Sequence, residues 1–350
     1  MHPNIVNPTH WTLTGSVLLC VAIGLPIGRQ TATASAAISD VRTVLALPAD
    51  SRPEGIAVHP TGLVFVGNRR VGGPVTTNEI LRISPDGTTS VFATLPSSDA
   101  EAEGLLGLAV DPVGDVYAAF ASFDHNHGVW RVSRDGTSLE RLPGSSSIVF
   151  PNALTFDRNG SLYVSDSFGG AIWRSERGAP FTRWVADPLL LPLATDPFGV
   201  PLPGANGLAF EAPDTLYVAN TERGLIARVR IERDGRPGAV EAMTMPFAVP
   251  TVDGIAMDIR GHIYAVIPGF ALLQSSPLVR VDPRSGAVHP VVTDPVAAGS
   301  FDTPLSVAFG AGQWGVRTVL VTNGDLPVVS GGAGPGVVQV DVGVPGMPVW

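Results

Sequence analysis

The sequence predicts an all-β fold, on three observations. Of 350 residues, 40 are Gly and 32 are Pro, while 45% are hydrophobic and only 15% charged. A chain this apolar buries a large core, so its many turn formers mean short strands joined by tight turns rather than low complexity. One pattern of about 50 residues recurs six times along the chain. After most copies, alternating apolar and polar residues flank Asp-Gly or Ser-Gly, a hairpin signature.

Each copy opens on a residue we call the slot. A small residue, an aliphatic residue, Ala or Thr, a polar turn and an apolar-aromatic strand follow. The copies read EGIAVHPTGLVFVGN from Glu54, LGLAVDPVGDVYAAF from Leu106, NALTFDRNGSLYVSD from Asn152, NGLAFEAPDTLYVAN from Asn206 and DGIAMDIRGHIYAVI from Asp253. A sixth, LSVAFGAGQWGVRTVLVTN from Leu305, has an insertion in its turn. Slots are separated by 52, 46, 54, 47 and 52 residues. An aromatic sits eleven after the slot in five copies: Phe65, Tyr117, Tyr163, Tyr217 and Tyr264.

A second strand pair follows, as in ILRISPDGTTSVFATLP from Ile80 and VRVDPRSGAVHPVV from Val279. Four strands per unit and six units make a six-bladed β-propeller of four-stranded antiparallel blades. Residues 41–48 (VRTVLALP) resemble the outer strand of blade one at 90–96 (SVFATLP), yet they precede the first inner strand. The N-terminal strand is therefore expected to complete blade six and close the ring, removing the open edge. The propeller domain is expected to span 38–350.

Residues 1–36 read as an export signal. An apolar run at 11–28 (WTLTGSVLLCVAIGLPIG) precedes the small residues Ala34-Ser35-Ala36. The expected location is secreted or periplasmic, without stable membrane insertion after cleavage; an uncleaved membrane anchor is the alternative. The single Cys, Cys20, lies in this segment, which excludes a disulfide framework and a thiolate metal site. All 22 basic residues are Arg, net charge is −9, and no basic cluster exceeds the pair Arg69-Arg70. A nucleic-acid groove needs a positive field, so that partner class is set aside.

Slots begin the innermost strands, so all six point to the axis at one end of the tunnel. Asp, Glu and Asn are 41 of 350 residues, yet they fill four of six slots: Glu54, Asn152, Asn206 and Asp253. Two carboxylates and two amide carbonyls are hard oxygen donors, the set Ca²⁺ prefers. Zn²⁺ wants His or Cys, and neither occupies a slot. Two carboxylates converging on an axis also repel each other without a cation between them.

With Glu54 in PEGIAV, Asn152 in PNALTF, Asn206 in ANGLAF and Asp253 in VDGIAMD, residues 40–345 resemble the senescence-marker-protein/gluconolactonase (regucalcin-like) family. Diisopropyl fluorophosphatase and paraoxonase are more distant likenesses. The resemblance implies one catalytic divalent cation held by Glu54, Asn152, Asn206 and Asp253. It further implies hydrolysis of lactones or related esters. Blade two departs from the family: its slot is Leu106, and no Arg is nearby to grip sugar hydroxyls, which points away from an aldonolactone.

The loops between second and third strands open on the same face as the slots. They bring His125 and His127 (in FDHNHGVW) as candidate bases beside Asp253, with Asn68, Asp166 and Asn220 as candidate substrate contacts. The long loop at 186–205, rich in Pro and Leu, is expected to cover the tunnel mouth or dock a partner. Phe270 supplies a second apolar wall. The expected substrate is therefore a small lactone or ester less polar than a sugar acid. A non-catalytic ligand-binding or scaffold propeller, and a metal-independent enzyme of the strictosidine-synthase type, are the alternatives.

Overall fold

The computed structural model describes residues 41–73, 76–96, 104–122, 124–193, 202–269, 277–292, 300–324 and 332–348. The export signal lies outside these residues. The strands form six four-stranded antiparallel sheets arranged as a ring, an all-β six-bladed propeller. Blade one is β2 (Ser51–Val58), β3 (Val64–Arg70), β4 (Thr77–Ile83) and β5 (Thr89–Leu95). Blade two is β6 (Gly104–Val110), β7 (Val116–Ala121), β8 (Gly128–Val132) and β9 (Leu139–Arg141). Blade three is β10 (Pro151–Phe156), β11 (Ser161–Asp166), β12 (Ala171–Glu176) and β13 (Thr182–Ala186). Blade four is β14 (Ala205–Glu211), β15 (Thr215–Asn220), β16 (Leu225–Ile231) and β17 (Pro237–Ala242). Blade five is β18 (Ile255–Met257), β19 (Ile263–Val266), β20 (Leu278–Asp282) and β21 (Ala287–Pro290).

Blade six draws on both ends of the chain: β22 (Pro304–Phe309), β23 (Thr318–Asn323), β24 (Gly336–Asp341) and β1 (Val41–Ala46). The N-terminal strand β1 pairs antiparallel with β24, from Val41 opposite Val340 to Ala46 opposite Gly336. This is the closure the sequence predicts, and it covers what is otherwise an open edge. The inner strands pack in sequence around the axis, β2 on β6 on β10 on β14 on β18 on β22, and β22 returns to β2. No helix among the described residues is long and apolar enough to cross a membrane.

The core lies between blades, and the repeat supplies it twice over. The aromatic eleven after the slot meets the aromatic four after the next slot edge-on. Tyr117 meets Phe156 at 5.0 Å between centroids, Tyr163 meets Phe210 at 5.1 Å, and Tyr264 meets Phe309 at 5.4 Å. At the far end from the slots, the Tyr117 hydroxyl donates to Asp111, that of Tyr163 to Asp157 and that of Tyr217 to Glu211. Asp111 and Asp157 also cap their own turns through backbone N–H groups. These clasps tie turn to strand where no chemistry is needed.

The residue after the slot is small because the next blade occupies its Cβ space. A Cβ on Gly55 would collide with the Leu106 carbonyl, one on Gly107 with the Asn152 carbonyl, and one on Gly207 with the Asp253 carbonyl. Backbone thus abuts backbone around the axis, and no side chain is available to yield. Gly107→Ala is therefore expected to destabilise the fold by about 3 kcal/mol, the range of severe overpacking. Thermal unfolding measures this; an unchanged melting temperature would mean the blades are not so closely packed.

Candidate metal centre

The ladder between first and second strands breaks at one place in five blades. In blade one, Pro53 pairs with Asn68 and Ile56 with Val66, so three residues of advance on β2 meet two on β3. The same shift falls between Leu105 and Leu108, Pro151 and Leu154, and Ala205 and Leu208. In blade six it falls between Pro304 and Ser306. Each is a β-bulge holding the slot residue, and a bulge re-aims the side chain it carries. The local sequence favours it. Pro53, Pro151 and Pro304 precede their slots without an N–H to donate, and a small residue follows each slot. In blade five, Asp253 lies ahead of β18; its N–H donates to the Val266 carbonyl at 3.1 Å.

The close backbone packing brings Glu54, Leu106, Asn152, Asn206, Asp253 and Leu305 into one ring. Leu106 and Leu305 are buried and close its apolar positions. Glu54 is half-buried, and its carbonyl accepts a hydrogen bond from Thr322 of blade six at 2.6 Å. Asn152 is buried and donates through Nδ2 to Ser167 Oγ at 3.1 Å. Asn206 is buried, donates through Nδ2 to Thr221 Oγ1 at 2.9 Å, and also hydrogen-bonds the Asp253 carboxylate. With Nδ2 of Asn152 and Asn206 engaged by Ser167 and Thr221, the amide oxygens remain as donors to a cation.

Asp253 is only 9% exposed. Burial pushes its carboxyl up to about 8, while the Asn206 hydrogen bond acts the other way. A desolvated carboxyl beside amide oxygens is what a divalent ion would convert to a stable carboxylate. Among the described residues no three His, Cys, Asp or Glu side chains gather as a metal cluster, so an ion here must draw on the amides. The donor set fits Ca²⁺, for which amide carbonyls are ordinary ligands.

The structure gives several of the rim residues protein partners. His127 is buried, and its Nε2 bonds the Ile148 carbonyl at 2.7 Å, so its ring serves the wall between blades two and three. His125 is exposed, and its carbonyl is held by the Arg141 guanidinium of the outermost strand β9, which draws the loop outward. Asp166 is fully engaged: it accepts from the N–H groups of Val149, Phe150 and Gly169 and from Trp173 Nε1, all near 3.0 Å. These bonds brace the segment leading into β10.

Asn220 donates to the carbonyls of Leu189 and Leu191, at 2.9 and 3.0 Å, and so anchors the stem of the apolar loop. Asn68 differs. It is buried, and its Oδ1 has no protein hydrogen bond. Phe270 and residues 194–201 of the apolar loop lie outside the described residues. The slot pattern alone does not single out Ser167 and Thr221. Their signal was there, a hydroxyl residue directly after YVSD and YVAN.

An acid whose pKa is raised on folding favours the folded state fully below its unfolded value and loses that contribution as pH climbs through the folded one. In chelator, the melting temperature is therefore expected to fall between the ordinary 3.8 and about 8. Asp253→Asn should flatten that slope, and Ca²⁺ at pH 8 should raise the melting temperature of the wild type. A slope unchanged by the substitution, read by scanning calorimetry, would show that another group is responsible.

No family model and no curated protein matches the chain. Solved structures do. A gluconolactonase from Xanthomonas campestris superposes with a TM-score of 0.57 at 18% identity, covering 88% of this chain and 89% of that one. Regucalcin from Agrobacterium tumefaciens, described as a calcium-binding protein, gives 0.59 at 16% identity over 89% and 96%. Virginiamycin B lyase from Staphylococcus aureus gives 0.52 at 18% identity over 81% and 85%. The chain therefore has the six-bladed propeller fold shared by the gluconolactonase and regucalcin structures.

Proposed function

We propose that the protein is an exported, Ca²⁺-dependent hydrolase of small lactones or related esters. One observation carries this reading: four of six slots are two carboxylates and two amides, and each amide donates through Nδ2 to a buried hydroxyl. A gluconolactonase and a calcium-binding regucalcin with the same fold support it. A divalent cation held by Glu54, Asn152, Asn206 and Asp253 supplies Lewis-acid polarisation of a carbonyl and a lowered pKa for water.

The chain's own residues do the rest. Asp253, as carboxylate, takes the proton from the water that attacks the carbonyl carbon, and the ring oxygen leaves as an alcohol once protonated. Leu106 and Leu305 keep part of the ring dry, which strengthens every electrostatic contact within it. Exposed Val149, Leu191, Met245 and Phe247 lie on loops of the slot face, a rim suited to an apolar substrate.

Purified protein is expected to carry a divalent ion and to lose lactone and ester turnover in EDTA. Glu54→Ala and Asp253→Ala should each abolish ion binding and lower kcat/KM at least about 10³-fold. His125→Ala should stay within about three-fold, because its loop is drawn outward. EDTA-resistant turnover across a lactone and ester panel would overturn the ion's role; a 10²-fold loss in His125→Ala would return the base to that loop.

A further inference from the structure

Fifteen residues after the slot, the first five blades carry Arg69, Ala121, Ser167, Thr221 and Pro268; Gly324 takes the equivalent place in blade six. Hydroxyl side chains occur at two of these six positions, and those two belong to the two blades whose slot is Asn. Each hydroxyl accepts from its own blade's slot amide, Ser167 from Asn152 and Thr221 from Asn206. Both residues are buried, which keeps bulk water from competing as a partner.

We infer that Ser167 and Thr221 are positioning residues that lock Asn152 and Asn206 with the amide oxygen toward the axis, and so set the affinity of the cation site. The inference rests on the cation reading above. An amide has an oxygen at one end and two N–H donors at the other, and only the oxygen attracts a cation. Proton counting at Ser167 decides the orientation. Its hydroxyl lies 2.7 Å from the Ala205 carbonyl, which has no proton, so the hydroxyl must donate there. Its lone pairs then face Asn152, and only Nδ2 can donate to them.

In blade four, Asn206 donates through the same Nδ2 end to Thr221 Oγ1 at 2.9 Å. Ala205 directly precedes Asn206, so the Ser167 bond also ties the blade-three ligand to the backbone of the blade-four ligand. The Ala205 N–H in turn donates to Leu190 at 2.8 Å, in the stem of the apolar loop. Two slots and the loop stem therefore form one hydrogen-bonded unit.

The test titrates Ca²⁺ calorimetrically into the full chain after chelation, with metal-free melting temperature recorded alongside. Ser167→Ala and Thr221→Val should each weaken Ca²⁺ ten- to hundred-fold, as loss of a ligand's supporting partner does. Ser167→Thr should stay within about three-fold. The deciding comparison uses Asn152→Asp, whose carboxylate offers oxygen at both ends. In that background Ser167→Ala should cost less than about three-fold, because no orientation remains to be locked.

An equal loss in the Asn and Asp backgrounds would mean that Ser167 only packs, and would overturn the inference. So would wild-type affinity in both Ser167→Ala and Thr221→Val. If one of these variants fails to fold, the other and Ser167→Thr carry the same test. A wild-type chain that takes up no Ca²⁺ would instead sink the cation reading itself, and the inference with it.

Discussion

The β-bulge at the head of the inner strands takes the slot residue out of the ladder and turns its side chain to the axis. The small residue after it lets the next blade's backbone approach within contact, so the slots converge. Without the extra residue, side chains would alternate between the two faces of each blade, as pleated strands require. They would then be buried between blades among Tyr163, Phe210 and their counterparts. The ring of slots is thus a by-product of an irregularity repeated at one register.

Converging polar groups in a tightly packed ring raises an electrostatic cost that the surrounding residues must meet. At Asp253 burial raises the carboxyl to about 8, and the Asn206 hydrogen bond offsets part of that rise. The Asn residues meet it through Ser167 and Thr221, whose hydroxyls take the amide protons. Leu106 and Leu305 bring no charge and exclude water. The result is a site with two carboxylates rather than four, moderate in its repulsion and suited to one hard cation.

The two ends of the propeller divide the work. On the far end, Tyr117, Tyr163 and Tyr217 clasp turn acids, and the turns are short and saturated with hydrogen bonds. On the slot end, longer loops lead into the inner strands, and the residues that end the second strands knot them down. Asp166 does so with four accepted hydrogen bonds and Asn220 with two donated ones. The stem of the apolar loop is therefore anchored beside the strand that carries Asn206.

Blade number, closure by residues 41–46 and the identity of the slots were all readable along the chain, because a repeat states the same local pattern six times and its period is independent of what packs against it. The sequence could likewise place Asp166, Asn220, His125 and His127 on the slot end. It could not say which way they faced. That depended on partners far along the chain, such as Ile148 for His127, Leu189 for Asn220 and Val149 for Asp166. Likewise, Ser167 gains its role only because the Ala205 carbonyl of the next blade takes its proton. Periodicity is a property of neighbours in sequence, whereas a hydrogen-bond partner is chosen by proximity after folding, and only the tertiary structure decides that.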